Sequence, residues 1–270
     1  MSSFYRARNH LATVTILAAV TLWLATSTSW AQPGARLDGI HDTVSRVSAI
    51  RFTFGKGITH SASGVDYVAS AHAGPRATVI VAGGGQVQPL RRVKDNRAVG
   101  FPNACDGTDA CPRALLSVPD GDLADPGTRQ FSYGATIWMH SASDGQNVIQ
   151  KGLQKRKDPM DQWKLQVDGD RGAPSCVVAD ASGGGLTVYA VYAKRSLLDQ
   201  GWVRVRCDRT ATRLVLTMRF RTGEIYTASR AIPANLAIGN GAPLLIGSNG
   251  TLPGDDQFVG RLDGAFFKIE

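Results

Sequence analysis

Glutamate occurs at only two positions in the chain, Glu224 and Glu270, one beside a turn glycine and one at the C-terminus. That supply decides much about possible chemistry. Breaking a glycosidic bond with retention needs two carboxyl groups about 5–5.5 Å apart, one as nucleophile and one as acid and base. No strand-like segment offers two alternating acids. A Gly-x-Ser-x-Gly elbow, a His-Glu-x-x-His helix and a Walker phosphate loop are all absent from the sequence. Gly83-Gly84-Gly85 and Gly183-Gly184-Gly185 could cradle phosphate only if a helix followed each of them, and both read instead as hairpin loops. His41, His60, His72 and His140 lack metal-ligand spacing. The residues therefore point away from an enzyme, and no catalytic residue is assigned.

Cys105, Cys111, Cys176 and Cys207 are the chemistry-bearing residues with the clearest expectation. Zinc would need CxxC-like spacing or nearby histidine. An even count suits disulfides in an oxidising compartment. Three pairings are possible. The favoured one closes a short loop with Cys105–Cys111 and staples two distant strands with Cys176–Cys207. The longer closure stabilises by about 3–4 kcal/mol in the chain-entropy model.

Positioning these residues falls to short strands. Phe131, Tyr133, Ile137 and Met139 share one face at period two. Trp163-Lys164-Leu165-Gln166-Val167 alternates apolar and polar, and Val203-Arg204-Val205-Arg206-Cys207 does so with arginines outward. Leu214, Leu216, Met218 and Phe220 repeat the pattern. Further strands are expected at Ala77–Val81, Arg113–Val118, Asn147–Lys151, Ser175–Val178, Leu186–Tyr192, Ile225–Ala231, Leu244–Ile246 and Phe258–Ile269, separated by turns such as Asp168-Gly169 and Asn249-Gly250. No stretch carries a helical period. The expected fold is all-β, two antiparallel sheets packed as a sandwich. An immunoglobulin sandwich is the alternative, although Trp202 just before Cys207 does not fit its usual Cys–Trp–Cys spacing.

The N-terminus adds Arg6 and Arg8, an apolar run from Leu11 to Ala25 and the small-residue exit Ser29-Trp30-Ala31. This is the three-part pattern of a secretory signal over residues 1–31. The run is interrupted by three threonines and is shorter than the roughly 20 residues of a membrane span. Residues 32–64 are a linker or a first strand, and the main domain is expected over 65–270. The 30 basic and 22 acidic residues give a net +8, which falls to +6 once Arg6 and Arg8 leave with the signal. That balance favours polyanionic surfaces such as acidic glycans. Nucleic acid is not expected of an exported chain without a recognition motif.

The ordered segments of the second half resemble the laminin-G-like members of the concanavalin A-like superfamily in secreted bacterial proteins. The carriers are Asp125-Pro126-Gly127-Thr128 through Phe131 to Trp138, then Gln146-Asn147-Val148-Ile149-Gln150-Lys151-Gly152 with the Trp163 strand. Gly201-Trp202-Val203 comes next, and Pro243-Leu244-Leu245-Ile246-Gly247 with Gly260-Arg261-Leu262-Asp263-Gly264 closes the set. The resemblance covers roughly Arg113 to Glu270. It implies a jelly-roll sandwich that binds a glycan or an extracellular or envelope partner, often with calcium. The same fold hosts glucanases whose paired strand glutamates this chain lacks.

Calcium needs several oxygen ligands. Asp255, Asp256 and Asp263 are the expected metal set, with Asp263 matching an acid of the resembled family. Asp168 and Asp170 read as a polar turn. Asp144 with Asn147, Tyr189, Tyr192 and Asn249 are the expected ligand-binding residues, the tyrosines as stacking platforms. Asn249-Gly250-Thr251 is also a glycosylation sequon. Trp138, Trp163 and Trp202 are expected in the core. Lys155-Arg156-Lys157 is expected on a solvated loop able to touch acidic polysaccharide.

Overall fold

The computed structural model describes residues 49–71, 74–93, 96–105, 111–143, 145–153 and 160–270. The expected signal segment, Asp144 and Lys155–Lys157 lie outside the described residues. Every strand among the described residues belongs to the unit that begins at Ser45.

In chain order the strands open with β1 (Ala49–Phe52), β2 (Thr59–His60), β3 (Asp66–Val68), β4 (Ala77–Ala82), β5 (Gln88–Val93) and β6 (Asn96–Gly100). The middle supplies β7 (Arg113–Val118), β8 (Phe131–Trp138), β9 (Gln146–Lys151), β10 (Gln162–Asp168), β11 (Ala173–Asp180) and β12 (Thr187–Tyr192). The remainder are β13 (Val203–Arg209), β14 (Arg213–Arg219), β15 (Ile225–Ala231), β16 (Leu244–Ile246) and β17 (Arg261–Ile269). Among the described residues the only helical element is one 3-10 turn, Asp122–Ala124.

These strands form two antiparallel sheets, the expected all-β sandwich. The first runs β15-β14-β13-β8-β17-β6-β5, and the second runs β12-β11-β10-β9-β16-β7-β4-β3-β2. β17 is shared lengthwise: Arg261 and Leu262 pair with β6, while Ala265 to Lys268 pair with β1. Two strands therefore come from residues before 65.

Period-two alternation explains which side chains meet between the sheets. Trp163 and Leu165 of β10 face Tyr133 of β8 and Phe267 of β17; all four are fully buried. The Trp163 ring stacks on Phe267 at 4.7 Å and lies 4.9 Å from Tyr133. Burying each such ring stabilises by about 2–3 kcal/mol. Their polar tips are satisfied, Trp163 Nε1 donating to the Ala124 carbonyl at 3.1 Å and Tyr133 Oη to the Val177 carbonyl at 2.9 Å. Burial pushes the Tyr133 phenol well above its ordinary value.

Both expected disulfides are formed. Cys176 of β11 and Cys207 of β13 join the two sheets with their Cα atoms 5.6 Å apart, and Cys105–Cys111 closes its loop at 5.7 Å. Bonded cysteine pairs are the state of an oxidising compartment.

Two buried cations hold the strand ends. Lys151, closing β9, bonds to Asp120 at 2.5 Å, to Asp125 at 3.0 Å and to the Asn240 and Ala242 carbonyls. Its hydrogen bond and charge hold the Asp120 carboxyl below the usual aspartate value. Arg209, closing β13, donates to the carbonyls of Thr128, Arg129, Ala234 and Leu236, and burial pulls its guanidinium below the usual value.

The tryptophans separate. Trp163 is core, as expected. Trp138 and Trp202 are half-buried on the outside of the first sheet, each under a guanidinium: Arg261 at 3.9 Å and Arg92 at 4.5 Å. The alternation that sends Ile137 and Val203 inward sends their neighbours out.

Candidate functional site

The second sheet carries an ordered polar row on its outward side. Because Trp163, Leu165 and Val167 belong to the core, Lys164 and Gln166 of β10 point outward. Gln166 pairs directly with Ser175 of β11 on one side and Asn147 of β9 on the other, and Ser175 pairs with Tyr192 of β12. Directly opposed residues share a face, so Tyr192, Ser175, Gln166 and Asn147 line up across four adjacent strands. Lys164 sits two residues along β10, between Val177 and Gln150.

A loop closes the row at its β9 end. Asp256 Oδ2 accepts hydrogen bonds from Asn147 Nδ2 at 3.1 Å and Asn249 Nδ2 at 3.0 Å, while Asn249 Oδ1 accepts from the Asp256 amide at 2.8 Å. The chain comes too close there for a side chain at Gly145, whose φ is +75° and whose Cβ would lie 2.8 Å from Asp256 Oδ1. Beyond Asp256 lies a cleft of about 230 Å³, bordered by the Cys105–Cys111 bridge, Arg113, Ser143 and Asp255.

Hydrogen bonding within the row is incomplete. Asp168 accepts from Gln166 Nε2 and from Ser175 Oγ. Asn147 Oδ1 and Gln166 Oε1 are buried with no hydrogen-bond partner among the described residues. Leaving a buried acceptor unmade costs about 1–3 kcal/mol. Lys164 forms no hydrogen bond or ion pair among the described residues. Burial holds its amine below the usual lysine value, and the charges of Asp256 and Asp168 partly oppose that. The row ends at Tyr192, whose residue is 60% exposed. It thus combines two carbonyl acceptors closed off from solvent with an ammonium donor and an exposed aromatic edge.

Of the ligand-binding residues expected from sequence, the structure brings together Asn147, Asn249 and Tyr192, and adds Asp256. Tyr189 departs from expectation. Its register partner Val178 is a core residue, so its ring packs at the open edge of the sandwich under Arg230 at 5.6 Å. The expected metal set does not assemble. Asp255 accepts the Leu252 amide of its own turn, Asp256 receives the two asparagine amides, and Asp263 pairs with Arg92 on the other sheet. No cluster of three acidic, cysteine or histidine side chains able to hold a metal occurs among the described residues. These donors do not fit calcium. Lys164, Gln166 and Ser175 were missed, although two of them stood as the polar members of a clean alternation in a central strand, the signal that could have found them.

No known family model matches this chain. No curated protein matches it either. Among solved structures, tailspike protein 2 of an Escherichia coli O157:H7 bacteriophage is similar over 69% of this chain and 25% of its own, with 14% identity and a TM-score of 0.44. The binding domain of botulinum neurotoxin DC, solved in complex with SialylT, is similar over 82% of this chain and 48% of its own, at 10% identity and a TM-score of 0.48. The receptor binding domain of botulinum neurotoxin D covers 83% and 50%, at 15% identity and 0.47. The chain spans half or less of each, and the likeness concerns strand arrangement alone. No helix among the described residues is long and apolar enough to cross a membrane.

Proposed function

We propose that this chain is an exported, non-catalytic, laminin-G-like binding module that holds an uncharged saccharide on the polar row of the second sheet. The observation that carries it is the pair of buried, partnerless acceptors Asn147 Oδ1 and Gln166 Oε1 beside the unpaired Lys164 amine. Once the side chains covering them shift to admit a ligand, its hydroxyls would donate to the two carbonyls and accept from the ammonium, supplying the bonds the fold leaves unmade. Tyr192 at the open end gives a ring for a pyranose face. Export rests on the N-terminal signal pattern and agrees with the formed disulfides.

Absence of catalysis rests on the carboxylates. Glu224 pairs with Arg195 at 3.1 Å and Glu270 pairs with Lys268 on the first sheet, and neither is a member of the row. Asp168 and Asp256 each accept two side-chain donors, which suits an ionised acceptor and not a general acid.

The test is a glycan array probed with the mature chain, with and without added calcium, repeated with Gln166→Leu and Tyr192→Ala. Binding that both variants weaken at least tenfold is the expected result. No bound glycan under either condition would leave an envelope structural role as the better account. Release of new reducing ends from a bound polysaccharide would overturn the non-catalytic assignment.

A further inference from the structure

The outward side of the first sheet is built differently, and nothing in the polar row depends on it. Arg204 and Arg219 are direct cross-strand partners on β13 and β14. Continuing across the sheet, Arg206 pairs with Gly134 of β8, Gly134 with Phe266 of β17, and Phe266 with Arg51 of β1. Four adjacent strands thus carry, in one line, a guanidinium, a bare glycine, an aromatic ring and a second guanidinium. At about 4.8 Å per strand the line is roughly 14 Å long.

The bare position is required. A Cβ on Gly134 would lie 3.1 Å from Phe266 Cε1 and 2.2 Å from the Val205 carbonyl oxygen. The half-buried Phe266 ring therefore lies over β8, with the Arg204 guanidinium 5.9 Å from its centre.

Charge on this face is not balanced. Arg206 is neutralised by Asp208 at 2.6 Å and Glu270 at 3.4 Å, and Lys268 by Glu270 at 2.7 Å. Arg51, Arg204 and Arg219 are exposed and form no ion pair among the described residues. The Arg204 guanidinium is held below the usual arginine value, first by partial burial and then by the like charges of Arg51, Arg206 and Arg219, with Asp208 opposing. Three unpaired guanidinium groups beside an aromatic platform match a ligand that alternates sugar rings with fixed negative charge.

We infer that the first sheet binds an acidic polysaccharide, one carrying carboxylate or sulfate groups, with Phe266 under a pyranose ring and Arg51, Arg204 and Arg219 on the anions. An anionic lipid surface is the competing occupant. It is disfavoured because Phe266, the aromatic of this face, is half-buried over Gly134 and packed against the sheet, not projecting to insert.

The experiment titrates the mature chain with heparin and polygalacturonate, with neutral dextran, with polyvinyl sulfonate as a charged polymer lacking sugar rings, and with vesicles containing phosphatidylglycerol. The chain should bind both acidic polysaccharides, and neutral dextran should not displace them. The triple variant Arg51→Gln, Arg204→Gln, Arg219→Gln should bind them at least tenfold more weakly, with the slope of log K against log salt shallower by about 2 for three contacts. Phe266→Ala should weaken both polysaccharides severalfold and leave polyvinyl sulfonate unchanged. Bound heparin should also protect Arg204 from phenylglyoxal, a measurement that needs no variant to fold. Unchanged heparin affinity in the triple variant, or no protection of Arg204, would overturn the inference. Vesicle binding with the same arginine dependence and no binding of either polysaccharide would assign the face to membrane lipid instead. Because Gln166→Leu and Tyr192→Ala lie on the other sheet and should leave heparin binding intact, failure here and failure of the polar-row assignment are separable.

Discussion

The two outward faces of the sandwich solve the same steric problem with opposite chemistry. On the second sheet the outward positions at β9 and β10 are amides, one amine and the Asp168 carboxylate, largely enclosed, with two acceptors left without a partner among the described residues. On the first they are exposed arginines around a ring. Both sets alternate with core residues at the same period, so the backbone does not choose between them. The difference teaches that an enclosed face is governed by hydrogen-bond satisfaction, where each missing partner is costly, whereas an exposed face is governed by screened charge, where salt sets the strength.

That contrast can be broken most severely through the anchors beneath it. Lys151→Met removes the cation that ties β9 to Asp120, Asp125 and two carbonyls. Because Asp120 keeps 43% exposure it can rehydrate, so the expected loss is about 3 kcal/mol, at the low end for breaking a buried pair. Urea denaturation would measure it, and saccharide binding should fall with it while heparin binding survives at low temperature. The double change Cys176→Ala, Cys207→Ala unlinks the sheets and should cost about 3–4 kcal/mol, read as a lower Tm with both faces affected alike.

Smaller changes sharpen the contrast. Gln166→Leu removes one open acceptor and should change stability by no more than about 1 kcal/mol in either direction, while binding on that face is lost; the pair of measurements separates function from folding. The Lys164 amine titrates lower in the folded chain than in the unfolded one, so between those two values the unfolded chain binds the extra proton and stability rises with pH. Between pH 8 and pH 10 the Tm of the native chain should gain on that of Lys164→Met, a difference in which the opposing contribution of Tyr133, whose phenol ionises first in the unfolded chain, cancels. Smallest of all, chelation of calcium should leave Tm unmoved, because the acidic side chains expected to hold it are engaged apart.

Much of this was legible beforehand, and the gaps have physical causes. The strands of the second half follow from period-two patterning and turn residues, and β7, β15 and β16 match their expected bounds. β2, β3, β5 and β6 were not foreseen, and β1 was only one of two alternatives for residues 32–64, without bounds. They are short or charged, as in Arg91 and Arg97, and β1 acquires its place only by pairing with β17. Asn147 and Asn249 were marked by residue type alone. Their meeting on Asp256 joins positions 109 and 7 residues apart, which no local pattern encodes.

From composition and alternation alone came the sandwich, the cysteine pairing, the poverty of glutamate and the outward arginines of β13. Those follow from properties of single residues or of near neighbours, which a linear chain displays. Which outward residues share a line, and which charges find partners, was decided only by tertiary structure. Register between distant strands places Tyr192, Ser175, Gln166 and Asn147 side by side, sends Asp263 to Arg92 and leaves Arg51 beside Phe266 unpaired. Hydrogen bonds and ion pairs are made at contact distance, and contact distance between distant residues exists only once the sheets have formed.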